Sequence, residues 1–208
     1  RLYKASDMVK ADCGGCNGCS RCCHGMGNSI ILDPYDVYRM TTGMGKSMQE
    51  LLAASVELNV VDGVILPNLK MQGAEEACAY LDGRGRCSIH PYRPGICRLF
   101  PLGRYYENGG FSYFLQTGEC AKENRSKIKV SKWIDTPDLT RNQQFILQWH
   151  DLLHAMEERL TGEDEGKQQE ENLLLLRLFY LLPYEGTIDF YTQFTERMEH
   201  WNGQNGQI

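Results

Sequence analysis

The apolar positions of this 208-residue chain change period part of the way along it. Up to about residue 130 they come in short runs that suit strands and brief helices. Ser29-Ile30-Ile31-Leu32 is a short strand candidate. Asp33-Pro34 reads as an N-cap followed by proline at the first helical position, which predicts a helix over 34–40 and slightly beyond, ending near Gly43 or Gly45. Ser47 and Glu50 have capping-box spacing, and Leu51, Leu52, Val56 and Leu58 fall on one helical face. Residues 60–69 read as strand with a turn inside. Two hairpins are then predicted. One, around Asp82-Gly83, would bring Cys78 and Cys87 near each other. The other, around Asn108-Gly109-Gly110, joins runs 104–107 and 111–115. Between them, 90–101 is too rich in proline for a helix or inner strand and reads as a fixed extended loop that delivers Cys97.

Beyond about 130 the period becomes helical and the β-branched runs thin out. Thr136-Pro137-Asp138 starts a helix whose Leu139, Phe145, Ile146, Trp149, Leu152, Leu153, Met156 and Leu160 recur at helical spacing. Residues 162–169 read as a charged linker, 172–182 as a strongly apolar helix closed by Pro183, and 187–201 as a third helix before a frayed end. The division predicts two parts, 1–130 and 131–208.

Composition narrows the function classes. Hydrophobic residues make up 42% of the chain, enough for a real core, and the formal net charge is −5. An acidic chain lacks the basic footprint of a general nucleic-acid binder, so no nucleic-acid partner is expected. No window approaches eighteen apolar residues, so no membrane partner is expected either. Residues 1–12 lack the apolar run of a signal peptide. Dense, unbridged-looking thiols suit a reducing compartment, and the cytoplasm is the expected location.

The candidate chemistry is concentrated in Cys13, Cys16, Cys19, Cys22 and Cys23, then Cys78, Cys87, Cys97 and Cys120. Two residues between cysteines let the backbone curl until both sulfurs face one metal centre, and Gly14, Gly15 and Gly18 ease that curl. Iron–sulfur proteins use the same spacing. A disulfide framework fits less well, because cysteines this close reach good geometry only with strain and their total of nine is odd. Nine thiols can serve two four-sulfur sites with one to spare, or one centre that mixes both groups. Adjacent side chains diverge, so Cys22 and Cys23 divide their labour. Zinc would be held in closed tetrahedral sites and serve structure. A 4Fe–4S cluster would carry electrons or bind a substrate, and five cysteines in one run favour iron.

Arg93 and Arg98 flank Cys97. They could stabilise thiolates or a cluster's negative charge, hold a substrate carboxylate, or simply pair with Asp or Glu. His24 and His90 could each ligate the metal or donate a hydrogen bond to a sulfur, although a plain loop histidine fits each better. His150 and His154 sit four apart on a helix that already has an apolar face, which favours a solvated or core-edge pair. Tyr105, Tyr106, Tyr113 and Phe114 are expected to shield the metal from water. No phosphate loop, nucleophile triad or carboxylate pair stands out, so no catalytic residue is assigned.

The set Cys16-x-x-Cys19-x-x-Cys22-Cys23, Cys78-x8-Cys87-Ser88-Ile89 and Arg93-Pro94-x-x-Cys97-Arg98-x-Phe100-Pro101 resembles the YkgJ-like cysteine-cluster family, zinc- or iron-chelating domain proteins, over about residues 13–120. Flagellin lysine N-methylases are similar in these motifs. The resemblance implies Cys16, Cys19, Cys22, Cys23, Cys78, Cys87 and Cys97 as ligands, with Cys120 at a looser position and Cys13 outside the pattern. The expected protein is therefore α+β: a small metal-stabilised cysteine-cluster domain of short hairpins and helices, followed by a helical extension. One or two 4Fe–4S centres are expected, in a redox protein or a cluster-dependent protein-modifying enzyme. The alternative is a zinc-stabilised, non-catalytic interaction module. A protein substrate or redox partner remains open. So does S-adenosylmethionine, which would have to act at an iron with an open position, since neither the spacing nor the length suits the radical family.

Overall fold

The computed structural model describes residues 1–14, 19–122 and 124–205. The fold is α+β, with small antiparallel sheets in the first part and long helices in the last. Two early strands, β1 (Leu2–Tyr3) and β2 (Met8–Asp12), precede the cysteine run. Helix α1 (Pro34–Met44) starts on Asp33, which exchanges backbone-to-carboxylate hydrogen bonds with Asp36, and ends at left-handed Gly45. Helix α2 (Met48–Ala54) has the predicted Ser47–Glu50 box.

The apolar face predicted to run through Val56 and Leu58 is interrupted. The helix stops at Ala54, and Val56–Val61 forms β3, paired with β4 (Val64–Leu69). Asp62 and Gly63, both at positive φ, make the tight turn that sets this register and commits β-branched Val56, Val60 and Val61 to strand. The Ser29–Leu32 run lies alongside β4 through one bridge, Ile31 to Asn68, and the amides of Leu32 and Leu69.

Strands β5 (Met71–Gln72) and β6 (Ala77–Cys78) pair, and the polar turn after Cys78 is organised by the Asp82 carboxylate, which accepts from the amides of Arg84 and Arg86. The proline-rich stretch is not extended throughout. His90–Tyr92 is a single 3₁₀ turn and Gly95–Leu99 is a short helix, α3, carrying Cys97. Pro91 and Pro94 sit at the start of a turn and before a helix, where a missing amide costs nothing, so α3 fits between Pro94 and Pro101.

The hairpin β7 (Leu102–Glu107) and β8 (Gly110–Leu115) turns on Asn108-Gly109 as predicted, with β1 added to its outer edge. Strand β9 (Ser126–Lys129) pairs with β2 and runs into α4 (Val130–Ile134). Helix α5 (Leu139–Leu160) follows. Helix α6 (Glu165–Leu176), capped by Asp164, replaces much of the predicted charged linker, because an N-cap and an acidic first turn suffice to start it. It runs on as a wider π-helical turn, Arg177–Leu181, and α7 (Phe190–Asn205) completes the chain. No described helix is long and apolar enough to cross a membrane.

Two apolar clusters result. The larger takes Leu32, Val37, Met40, Leu51 and Leu69 from before residue 130 and Phe145, Trp149, Met156, Phe179 and Phe194 from after it. The smaller joins Val9, Ala11, Leu99, Leu102, Tyr113, Val130 and Ile134. Helix α3 lies between them: Cys97 packs against the larger cluster, and Leu99 belongs to the smaller.

Candidate metal centre

Three separate segments deliver thiols to one cavity. Residues Arg21–Cys23 form a single 3₁₀ turn, with the Cys23 amide donating to Ser20 at 2.8 Å. The chain then bridges to β6, His24 opposite Ala77, and the Gly25 amide donates to the Glu76 carbonyl at 3.0 Å. That contact sets Cys22-Cys23 beside Cys78. The turn organised by Asp82 returns the backbone so that Cys87 bridges Leu81, three residues from Cys78, which achieves the predicted closeness without a regular hairpin. Helix α3 supplies Cys97.

Cys22, Cys23, Cys78, Cys87 and Cys97 all line a cavity of about 860 Å³. Arg21, His24, Glu75, Arg93 and Glu119 add polar groups, while Ile30, Leu69, Ile89, Ile96, Phe100 and Leu102 make much of the wall apolar. Tyr80 also lines it, its hydroxyl held 2.6 Å from Ser55 Oγ.

The other expected site residues lie elsewhere. Cys13, Cys19 and Cys120 are partly buried outside this lining, and Cys16 falls outside the described residues. His24 reaches the cavity, with Nδ1 3.3 Å from the Glu75 carbonyl oxygen, whereas His90 stays in its 3₁₀ turn away from the lining. Arg93 faces the thiols. Arg98 points the other way, over the Tyr35 ring at 5.7 Å and into the field of Asp36. The four aromatics do not wall the cavity. Tyr105 is exposed, Tyr113 belongs to the smaller cluster, and Tyr106 stacks on His150 at 3.8 Å. Tyr106 and Tyr113 turn toward α5, where they meet His150 and Gln143. His150 and His154 are both partly exposed, beside Asp151, Glu157 and Glu158.

The thiols are not equivalent. Cys22 and Cys23 hydrogen-bond to each other, which lowers Cys22 to about 6 and raises Cys23, so Cys22 ionises first. Burial raises Cys78, Cys87 and, furthest, Cys97; Arg93 opposes the rise at Cys87. Buried, protonated sulfurs around one opening fit a thiophilic cation, whose charge would reverse that preference and take the protons off. Among the described residues no three Cys, His, Asp or Glu side chains already converge at the distances of a single bound ion.

Behind α3, Arg98 meets the expected alternative of pairing with an aspartate, in a buried charged group whose Asp36 and Arg104 carried no signal of burial in the sequence. Asp36 is 2% exposed and Arg98 4%, with Asp33 and Arg104 in the same field. The spacing of Asp33 and Asp36 announces a helix cap and nothing more; their burial comes from the packing of α3 over the start of α1. Burial, then the neighbouring Asp36 carboxylate, raise Asp33 to about 7. A carboxyl raised in the fold contributes stability fully below its unfolded value, and that contribution is lost as pH rises through the folded value. The metal-free protein should therefore lose stability between about pH 4 and 7. Asp33→Asn keeps an N-cap side chain and should flatten that slope. Melting curves of both chelator-treated proteins across the range check this; equal slopes would show that Asp33 does not titrate there.

A family model described as "CxxCxxCC: Putative zinc- or iron-chelating domain" matches residues 15–126. No curated protein and no solved structure matches the chain.

Proposed function

Since the chain belongs to the CxxCxxCC family of zinc- or iron-chelating cysteine domains, we propose that its cavity holds a 4Fe–4S cluster through Cys78, Cys87, Cys97 and one of the Cys22-Cys23 pair. One observation carries the reading: five thiols from three separate segments line one cavity. Sulfurs spread around a wide opening suit a multi-iron group, whose ligands stand further apart than the four around one zinc. Cys13, Cys16 and Cys19 are the candidates for a second centre. Bound there, a cluster would supply one-electron transfer or, with an open iron position, a place for substrate.

The chain's own residues have defined parts. Arg93 places positive charge beside Cys22 and Cys87, which favours their thiolates. Apolar Ile30, Leu69, Ile89 and Phe100 keep water from the sulfurs, and Ile96 marks an exposed apolar edge where a protein partner could approach.

Anaerobic purification followed by iron, zinc and sulfide analysis tests the proposal. Brown protein with a broad absorption near ~400 nm and about four irons per chain, or about eight with a second centre, is expected. Colourless protein with one or two zincs would replace the cluster by a structural module. A change in the cluster's spectrum on adding S-adenosylmethionine would support a methylase; no change would leave electron transfer.

A further inference from the structure

We propose that Asp36 is the positioning residue for Cys97: from the first turn of α1 it grips the start of α3 and fixes the sulfur at the cavity wall. The proposal rests on the reading of Cys97 as a metal ligand. The grip is a buried hydrogen bond of 2.7 Å from the Gly95 amide to Asp36 Oδ1, across 59 residues of sequence. Pro94, just before α3, offers no side chain to that amide, so a distant carboxylate satisfies it.

The surroundings leave little freedom. A Cβ built on Gly95 would stand 3.5 Å from both Asp36 Oδ1 and Arg98 Nη2 and 4.0 Å from Asp33 Oδ2, so acids from α1 and a base from α3 enclose the same point. Arg98 immediately follows Cys97, and its Nε and Nη1 are buried with no hydrogen-bond partner among the described residues. Its charge is offset through space by Asp36. A buried carboxylate is costly unless opposite charge and hydrogen bonds compensate it; Gly95 and Arg98 of α3 supply part of that compensation here, beside the Asp33 amide and Arg104. Asp36 thus acts on the sulfur from two sides, through Gly95 two residues before it and Arg98 one residue after.

The same helix fastens the approach to α3. Arg39 Nη2 donates to the Pro91 carbonyl at 2.5 Å, and Gly43 leaves space that the Tyr92 ring fills, since a Cβ there would meet it at 2.3 Å. At the far end, Trp133 Nε1 donates to the carbonyls of Leu99 and Phe100, each at 3.2 Å. These contacts fasten the ends of the segment; Asp36 holds the first residue of α3 itself.

Cobalt(II) titration of the reduced full chain tests this, because the intensity of the thiolate-to-cobalt band reports how many sulfurs bind. Asp36→Ala should weaken cobalt binding by about 10–100-fold, as expected for a residue that orients a ligand, and lose band intensity at saturation as Cys97→Ser does. Asp36→Asn, which keeps an oxygen acceptor but no charge, should lose less than about tenfold and serves if the alanine variant does not fold. Wild-type affinity and band in the Asp36 variants, with a loss in Cys97→Ser, would overturn the positioning role alone, even if the variants melt earlier. Wild-type behaviour in Cys97→Ser as well would overturn the ligand assignment beneath it.

Discussion

Cys97→Ser is expected to remove at least about half of the bound metal and to lower soluble yield with it, since a ligand's contribution to metal binding is also a contribution to folding. Cys97 should be the most sensitive of the thiols for three reasons. It comes from a segment that supplies no other cysteine to the cavity. Burial holds it protonated, well above the usual thiol range, so a cation that takes off its proton reverses a strong preference. Its helix joins the two apolar clusters, so a misplaced α3 disturbs both. Cys22→Ser should behave similarly, though with Cys23 beside it as a partial substitute. Cys120→Ser, outside the cavity lining, should leave most of the metal in place. Metal per chain in the soluble fraction decides the matter. Unchanged stoichiometry in Cys22→Ser and Cys97→Ser would sink the assignment of these ligands.

The second large effect is expected far from any cysteine. Phe145 on α5 is 2% exposed and meets the rings of Phe190 and Phe194 at 5.0 and 4.8 Å, with Tyr35 of α1 at 6.3 Å. Phe145→Ala should cost about 3–5 kcal/mol through lost burial and the cavity left behind. At about 2–4 °C per kcal/mol for a chain of this size, the melting temperature should fall by roughly 10 °C. Metal retention should fall as well, because α1, against which Tyr35 carries this aromatic group, also holds the segment around Cys97. Thermal melts and chelator-challenge rates measure the two effects. Wild-type metal retention in a clearly destabilised Phe145→Ala would show that the helical part does not support the cysteine part.

Much of the fold was legible because local chemistry decides it. Asp33-Pro34, the Ser47–Glu50 box and Asn108-Gly109 each fix a backbone conformation within a few residues, and α1, α2 and the β7–β8 hairpin follow them. Where local signals compete, neighbours decide. Val56 and Leu58 fit the face of α2 by spacing, yet the turn at Asp62-Gly63 draws them into a strand. The prolines around Cys97 exclude a long helix without excluding one short enough to lie between them. The charged residues after Gly162 resemble a linker until an aspartate caps them and the apolar residues that follow find a core.

By itself, then, the sequence determined the class of chemistry: nine thiols in a recognisable order, and with them membership of a metal-chelating family. It did so because ligand type and short-range spacing are properties of a few adjacent residues. Tertiary structure alone decided which thiols share a cavity, that Arg93 faces them while Arg98 turns away, and that a buried aspartate 59 residues from Gly95 grips the helix bearing Cys97. Those contacts depend on which surfaces the apolar clusters press together, and hydrophobic burial, being non-directional, leaves no local mark of its final pairings in the chain.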